Sequence, residues 1–529
     1  MHGELVVLGV LVGVLGLLLL AERTGLPYPI PLTVGGALLA FLPGVENFEL
    51  DPDVILIAFL PPLLYSTAFF SSLQDLRANV GPISALAVGL VVATTVAVAV
   101  VAHAFIDGMS WNAAFVLGAI VSPTDPVAAV EILVRSRAPR RLVTIVEGES
   151  LINDSTGLIA YKFAIAAATS GGFSLLQAGG DFLLSAVAGV AIGLAVGYPV
   201  MLLRRRLDDA PTEIAISLLT PYLAYLPAEA AGVSAVLAAV TSGLLLGWYS
   251  PQLVTPATRI VSVSFWEILV FALNAALFVL VGLQLNHVLD GLSGISTGDL
   301  IVDALLVCAT VIGTRFAWVL PFNLISRLLV ERLPGRHGDE PPDLRLTALL
   351  GWSGMRGAVS LAAALAIPLQ TDAGAPFPAR DLIIFLAYSV IVVTVVGQGL
   401  TLGRLIELAG VYDDEETVAE QETRARIATA RAALSRLDEL EGADWVRPET
   451  HERMKGAYEF RIRRFESRFD DEDDGEIEQG SLAYQQLRRK ILEAERSELI
   501  RQRNRGEITD DIMRRIERDL DLEDARLEI

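Results

Sequence analysis

The sequence has few of the residues that build soluble enzymes and metal centres. Of its 529 residues, 19% are charged, five are histidine and one is cysteine. That cysteine, Cys308, excludes a disulfide framework and a thiolate cluster, and no histidine clustering indicates a structural metal. There is no phosphate-binding loop and no HExxH motif, and Gly351–Met355 fails the nucleophile-elbow pattern at Met355. We therefore predict no enzyme, and the net charge of −21 argues against nucleic-acid binding.

Long apolar runs fill most of the chain instead. The sequence is 53% hydrophobic with a mean hydropathy of +0.52. Runs of about twenty apolar residues, the length of a membrane-crossing helix, recur as far as about residue 407. We predict an all-α polytopic membrane protein of about thirteen transmembrane helices over residues 1–407, followed by a helical cytoplasmic domain over residues 412–529. The first run lacks a basic flank, so we interpret it as a membrane helix and not as a cleaved signal. The predicted spans are 5–20, 30–42, 54–70, 83–105, 113–133, 142–168, 182–203, 213–226, 233–248, 260–285, 300–325, 346–369 and 382–405.

The loops between these spans alternate in charge. Basic residues follow odd-numbered spans: Arg135, Arg137, Arg140 and Arg141; Arg204, Arg205 and Arg206; and Arg327, Arg332, Arg336 and Arg345. Acidic residues lie in the opposite loops: Glu46, Glu49, Asp51 and Asp53; Asp107; Glu229; and Asp290 and Asp299. Basic loops of membrane proteins stay in the cytoplasm. We therefore predict a multi-pass protein of the plasma or inner membrane, with its N-terminus outside and its C-terminus in the cytoplasm.

Two spans carry residues that interrupt a helix. In the fifth, Pro123 and Pro126 flank a Thr-Asp pair, and each proline removes a backbone donor. In the twelfth, Gly351, Gly354 and Gly357 surround an arginine. Non-helical backbone at membrane depth is tolerated where it is buried in protein or lines a cavity. Paired interruptions in corresponding positions predict inverted repeats with a transport site between them.

The sixth span carries carboxylates, although a purely apolar helix would cost less free energy to place in a membrane. A carboxylate at membrane depth marks a functional site by default. At about 100° per residue, Glu147, Ser150 and Asp154 share one helix face, and Glu149 and Asn153 share the next. This polar stripe is the candidate site of the chain.

Three motifs carry a family resemblance. EGESLIND (Glu147–Asp154), SPTDPVA (Ser122–Ala128) and GMRGAVSLA (Gly354–Ala362) resemble those of the monovalent cation:proton antiporter 1 family, the NhaP- and NHE-type sodium/proton exchangers. The resemblance covers roughly the first 405 residues. It implies a mobile core, about residues 83–168 and 300–405, that moves against a dimerisation domain, about residues 5–70 and 213–285, in a homodimer. The C-terminal domain carries no recognised motif, and we expect it to regulate.

The resemblance also implies roles for individual residues. Asp154 would bind the ion and the proton beside Asn153, and the remaining Na⁺ ligands would be Ser150, Thr124 and Asp125. A buried ion pair would join Glu149 to Arg356. Arg315 is similar to another core arginine of the family, and Glu147 is a supporting residue of the polar stripe. Some relatives carry a glutamate close to the ion after the third-span PPLLF/Y run, whereas this chain has Ser66. The site would then lack one carboxylate ligand.

The chemistry of the candidate site predicts exchange. One carboxylate that binds either a cation or a proton, never both, makes an obligate exchanger of a monovalent cation, Na⁺ first and K⁺ or Li⁺ as alternatives, for H⁺. Because Asn153 is neutral, we predict electroneutral exchange by alternating access, serving cation and pH homeostasis, with no bound cofactor. The alternative is a non-transporting membrane sensor or scaffold that signals through its C-terminal domain.

Several residues keep a second interpretation. Thr124 and Asp125 could cap the half-helix that follows them as well as bind the ion. Glu267 and Asn274 could line the site, although we favour a helix-bridging role. Lys162 is interpreted as a snorkelling residue at the helix end. The acidic stretch 470–478 is predicted to be a linker. A calcium-binding loop is not favoured there, because Ser481 stands where such a loop requires a glutamate.

Overall fold

The computed structural model describes residues 2–41, 55–170, 175–207, 209–292, 295–332, 343–412, 415–467 and 476–526. The chain forms two compact units, Met1–Asp413 and Asp414–Ile529. The predicted acidic loop 46–53, Arg336 and most of the linker 470–478 lie outside the described residues. The only β-type pairing among the described residues is an isolated bridge between Gln370 and Pro376, so the predicted all-α class is confirmed.

The first unit is built entirely around helices. They are α1 (His2–Thr24), α2 (Pro29–Leu39), α3 (Leu60–Phe70), α4 (Leu73–Ala78), α5 (Val80–Phe105), α6 (Trp111–Val121), α7 (Pro126–Arg135), α8 (Arg140–Ser170), α9 (Leu175–Arg204), α10 (Ala210–Ala230), α11 (Ala235–Leu253), α12 (Pro256–Leu283), α13 (Leu285–Asp290), α14 (Thr297–Arg332), α15 (Leu344–Trp352), α16 (Ala358–Leu365) and α17 (Arg380–Ala409). A π-helical turn, Ile55–Phe59, leads into α3, and similar turns lie inside α5 and α17.

Each predicted span coincides with a helix or with two half-helices of this unit. Six helical stretches of the described chain are long and apolar enough to cross a membrane by length and composition: Val80–Phe105, Trp111–Arg135, Gly179–Arg204, Thr258–Leu289, Thr297–Pro321 and Arg380–Ala409. Shorter apolar helices lie at Pro29–Leu39 and Leu56–Phe70. The twelfth span ends earlier than predicted, because α16 stops at Leu365. The count of about thirteen crossings stays a prediction.

Short polar side chains begin several of these helices. Each accepts a hydrogen bond from a backbone N–H of the first turn, which otherwise has no partner inside the helix. These N-caps are Ser72, Ser110, Asp125, Asp209, Ser234, Thr255 and Asp343. In most cases a loop residue that looks unremarkable in the sequence therefore sets the start of an apolar helix.

Glycines allow close main-chain contacts around α11. A Cβ added at Gly243 would lie 2.7 Å from the Tyr65 carbonyl oxygen of α3, and one at Gly247 would overlap the Phe69 carbonyl oxygen. On the other side, a Cβ at Gly193 of α9 would lie 2.5 Å from the Ala238 carbonyl oxygen of α11. Small residues at such contacts let membrane helices approach closely. Helices α3, α9 and α11 are thus joined through their backbones.

One predicted loop arginine is buried. Arg204, at the end of α9, lies 3.5 Å from Glu213 in the first turn of α10, and both side chains are almost fully inaccessible. The sequence grouped Arg204 with Arg205 and Arg206 as basic loop residues. Because its charge is paired in the interior, Arg204 does not count toward the charge of that loop.

The second unit consists of helical hairpins. Its helices are α18 (Glu415–Leu440), α19 (Pro448–Glu466), α20 (Glu476–Asn504) and α21 (Asp510–Arg526). Arg431 pairs with Glu466 between α18 and α19, and Arg496 pairs with Asp521 and Asp524 between α20 and α21. Exposed pairs of this kind add little stability individually, so they mainly specify how the helices align.

Candidate functional site

Two interrupted helices meet at the centre of the first unit. Helix α6 ends at Val121 and α7 begins at Pro126, so Ser122–Asp125 have no regular helical hydrogen bonding. The prolines explain the interruption because neither can donate a backbone hydrogen bond. Asp125 starts the second half-helix, since its Oδ1 accepts a 2.9 Å hydrogen bond from the Val127 N–H. The predicted capping role of Asp125 is thus realised in the structure.

The second interruption lies against the first. Helix α15 ends at Trp352 and α16 begins at Ala358. The Asp125 N–H donates a 2.9 Å hydrogen bond to the Met355 carbonyl, and Asp125 lines the same cavity as Gly357 and Ala358. Gly357 permits this contact, because a Cβ there would overlap the Asp125 carboxylate. Asp125 therefore joins the two breaks, because its N–H binds the Met355 carbonyl while its Oδ1 accepts the hydrogen bond from the Val127 N–H.

Helix α8 presents the polar stripe to this crossing. Asp154 and Ser150 line a cavity of about 80 Å³ together with Thr124 and Asp125. Asp154 is 7% exposed and Ser150 is 4% exposed. Among the described residues, no hydrogen bond reaches the Asp154 carboxylate or the Ser150 hydroxyl. Oxygens that are free of protein partners beside a cavity suit a hard monovalent cation, which prefers oxygen ligands.

A buried network supports the cavity from behind. Asn153 Nδ2 donates a 2.7 Å hydrogen bond to Thr124 Oγ1, and Thr124 Oγ1 donates a 3.0 Å bond to Glu149 Oε1. Arg315 of α14 binds both oxygens of Glu149, at 2.5 and 2.8 Å. Arg315 Nε also donates to the Leu350 carbonyl at 3.0 Å. The network fixes the hydroxyl of Thr124, and it joins α8 to α14 through a bidentate ion pair.

The predicted ion pair between Glu149 and Arg356 is therefore wrong. Glu149 pairs with Arg315, which the sequence had assigned only a supporting role. Arg356 is fully buried, and its guanidinium donates to the Ser122 carbonyl while its backbone N–H donates to Thr394 Oγ1 at 3.0 Å. The physical reason lies in the partners: Arg315 of α14 binds both oxygens of Glu149, whereas the Arg356 guanidinium is bound to the Ser122 carbonyl of the first break.

The remaining candidates divide into residues inside and outside the cavity wall. Glu147 and Ser66 lie outside it, and Ser66 Oγ donates to the Leu63 carbonyl of its own helix at 2.9 Å. Thr67, one residue later, does line the cavity. Asn274 of α12 also lines it, although the sequence favoured a bridging role, whereas Glu267 is exposed on the surface of the unit. The seven-residue spacing of Glu267 and Asn274 indicated that both could line the site, but only Asn274 lines the cavity.

Lys162 of α8 takes part in an ion pair. Its Nζ lies 3.1 Å from Glu229 Oε1, at the end of α10, with both side chains about half exposed. Lys162 is therefore a half-exposed member of an ion pair.

These features define a class of protein. Buried carboxylates at the crossing of two interrupted helices, within an apolar helical unit, are typical of ion-coupled membrane transporters. Residues 7–408 match the family model described as sodium/hydrogen exchanger, transmembrane. The chain belongs to this family, whose members are cation:proton antiporters of the type that the sequence motifs resemble.

Relatives of known sequence agree with this assignment. An uncharacterized Na⁺/H⁺ exchanger of Mycobacterium bovis is 36% identical over 99% of this chain and 96% of its own length. A Bacillus subtilis protein named sodium, potassium, lithium and rubidium/H⁺ antiporter is 36% identical over 72% of this chain, which spans 58% of that relative. A Na⁺/H⁺ antiporter of Aphanothece halophytica is 30% identical over 81% of the chain.

A solved structure agrees at the level of the fold. The sodium proton antiporter NhaP1 of Methanocaldococcus jannaschii superposes with a TM-score of 0.58 and 17% sequence identity. The match covers 78% of this chain and all of that protein. At this identity the likeness shows the fold alone.

Proposed function

We propose that this protein exchanges a monovalent cation for H⁺ at the cavity beside Asp154, by alternating access. Na⁺ is the first candidate, with K⁺ and Li⁺ as alternatives, and the activity would serve cation and pH homeostasis. The observation that carries the proposal is the free Asp154 carboxylate, which faces the cavity with no competing hydrogen bond among the described residues. Ser150, Thr124 and Asp125 supply further oxygens in the same wall.

The stoichiometry follows from which groups carry a net charge. Asn153 is neutral and is held by Thr124, and Glu149 is held by Arg315. Asp125 Oδ1 is held by the backbone N–H of Val127. Asp154 is then the one carboxylate of the cavity left to alternate between a cation and a proton. One cation for one proton moves no net charge.

The arrangement of the protein in the membrane is also proposed. The basic loop residues support an outside N-terminus and a cytoplasmic second unit. We retain the mobile core, the dimerisation domain, the homodimer and the regulatory role of residues 412–529 as proposals. The non-transporting sensor is not favoured, because such a protein has no need of a cavity that gathers free cation-binding oxygens.

The test uses purified full-length protein in liposomes that contain a pH-sensitive dye. We expect Na⁺, K⁺, Li⁺ or Rb⁺, added separately, to release protons, at a rate that an imposed membrane potential does not change. An exchanger that moved one net charge would instead gain about 2.3 kcal/mol per 100 mV. Strong voltage dependence would exclude the electroneutral stoichiometry, and silence with every cation would exclude the exchange itself.

Gly357 offers a test of the crossing. A Cβ at this position would displace the Asp125 carboxylate, so we expect Gly357→Ala to lose most of the exchange activity and about 1–3 kcal/mol of stability through overpacking. Exchange in liposomes and thermal unfolding measure the two effects. Gly313→Ala is the matched control, because nothing lies within 4 Å of a Cβ at Gly313. Wild-type exchange in Gly357→Ala would mean that the position of Asp125 is not critical.

A further inference from the structure

Glu131 is a carboxylate in the interior of α7 that the candidate site does not use. It follows Asp125 by six residues, which places it about 9 Å further along the helix axis. Its Oε1 accepts a 3.4 Å hydrogen bond from the Tyr28 N–H. Its Oε2 is buried and has no hydrogen-bond partner. A buried carboxylate oxygen without a partner is costly and calls for an explanation.

Tyr28 lies between Glu131 and the cavity. Its hydroxyl lies near the side chain of Asn274, and Asn274 lines the cavity beside Asp154. The ring is held by an edge-on contact with Phe271, at 5.2 Å between centroids. An amide, a hydroxyl and a carboxylate thus follow one another from the cavity toward the end of α7.

That end of α7 leads to the basic side of the unit, which we define by Arg135, Arg137 and Arg140. A purely structural role for Glu131 would be to anchor the connection between α1 and α2 onto α7. Arg135 already does so, because its guanidinium donates a 2.9 Å hydrogen bond to the Gly25 carbonyl. The hydrogen bond from Tyr28 uses only one oxygen of Glu131. The second oxygen is therefore unexplained by anchoring.

A cation that leaves the cavity needs such a group. Moving an ion through an apolar interior is expensive unless oxygen ligands or opposite charges accompany it. Glu131 supplies an oxygen ligand and a negative charge at about two helical turns from Asp125. Resting on the exchange proposed above, we propose that Glu131 is a second binding station for the transported monovalent cation, between the Asp154 cavity and the basic side, with Tyr28 separating the two stations.

The test measures cation dependence from each side of the membrane. Inside-out and right-side-out vesicles carrying the full-length protein are supplied with increasing Na⁺ or K⁺. For Glu131→Gln we expect the half-saturating concentration to rise about tenfold, which is about 1.4 kcal/mol, when the cation is supplied from the basic side. The maximal rate, and the half-saturating concentration from the other side, should match the wild type. Glu131→Asp should restore much of the affinity.

Two further variants complete the design. Tyr28→Phe keeps the ring and the backbone N–H, so it should leave the station intact and change the maximal rate more than the half-saturating concentration. Glu229→Gln is the matched control, because Glu229 is a half-exposed carboxylate paired with Lys162 and not with the α1–α2 connection. It should leave the affinity on the basic side unchanged.

The outcomes separate the two proposals. An active wild type with an unchanged half-saturating concentration in Glu131→Gln would overturn the second station alone. An equal change from both sides, or a loss of maximal rate that Glu131→Asp does not reverse, would assign Glu131 a structural role and also overturn it. A wild type that is silent with every cation would overturn the exchange, and the station with it.

Discussion

Replacing Asp154 by asparagine is expected to abolish exchange with every cation. Asparagine keeps the size of the side chain and an oxygen, but it can neither take up a proton nor balance the charge of a cation. We expect no substitution by Asp125, the other carboxylate that lines the cavity, because its Oδ1 is engaged by the Val127 N–H. Cation-driven dye signals from liposomes, compared with the wild type, measure the effect.

The control for Asp154→Asn is Glu267→Gln. Glu267 is a carboxylate of α12 that is exposed on the surface of the unit and does not line the cavity. It should exchange like the wild type, and both variants should elute as folded protein. Residual exchange of more than a few per cent in Asp154→Asn would move the carrier role to another group, with Asp125 as the first to examine.

The second large effect is expected from Glu149→Gln. This change leaves the Arg315 guanidinium buried at 2% exposure without its counter-ion. Breaking a buried pair in this way costs about 3–5 kcal/mol. It also replaces the charged acceptor of the Thr124 hydroxyl by a neutral amide, which weakens the hydrogen bond that orients this hydroxyl at the cavity. We expect a lower unfolding temperature in detergent together with weaker exchange.

A double replacement separates the structural part of this effect. Glu149→Gln combined with Arg315→Met removes both charges, and it should recover much of the stability because the Arg315 charge is no longer left without its counter-ion. Glu229→Gln, in the half-exposed pair with Lys162, should barely change the unfolding temperature. If Glu149→Gln were as stable as the wild type, the pair would not hold α8 to α14.

The fold was accessible from the sequence because its main signals are local. Apolar runs predict the helices, and Pro123, Pro126 and the glycines around Arg356 predict the two interruptions. Asp154 stood out because a carboxylate within an apolar helix has few purely structural explanations. Each of these inferences needs only the spacing of residues along one helix.

The partners of the charged groups were not accessible in the same way. Two arginines, Arg315 and Arg356, lie in neighbouring spans, and nothing in their local sequence indicates which one reaches Glu149. Asn274 and Glu267 share a helical spacing, yet the turn of α12 that faces the cavity depends on how the helix is rotated. Arg204 reads as a loop residue until the position of Glu213 is known. These assignments depend on contacts between helices that are distant in sequence.

The close backbone contacts of α11 limit how its neighbouring helices can move relative to it. Side chains between helices can change rotamer and absorb a displacement, whereas the carbonyl contacts at Gly193, Gly243 and Gly247 leave little room for that. We therefore expect helices α3, α9 and α11 to move as one unit. The cavity wall that α3 supplies belongs to this group of helices. In the proposed exchange, we then expect the cavity to change width through displacement of the other helices that line it, including α7 and α8, which carry its carboxylates.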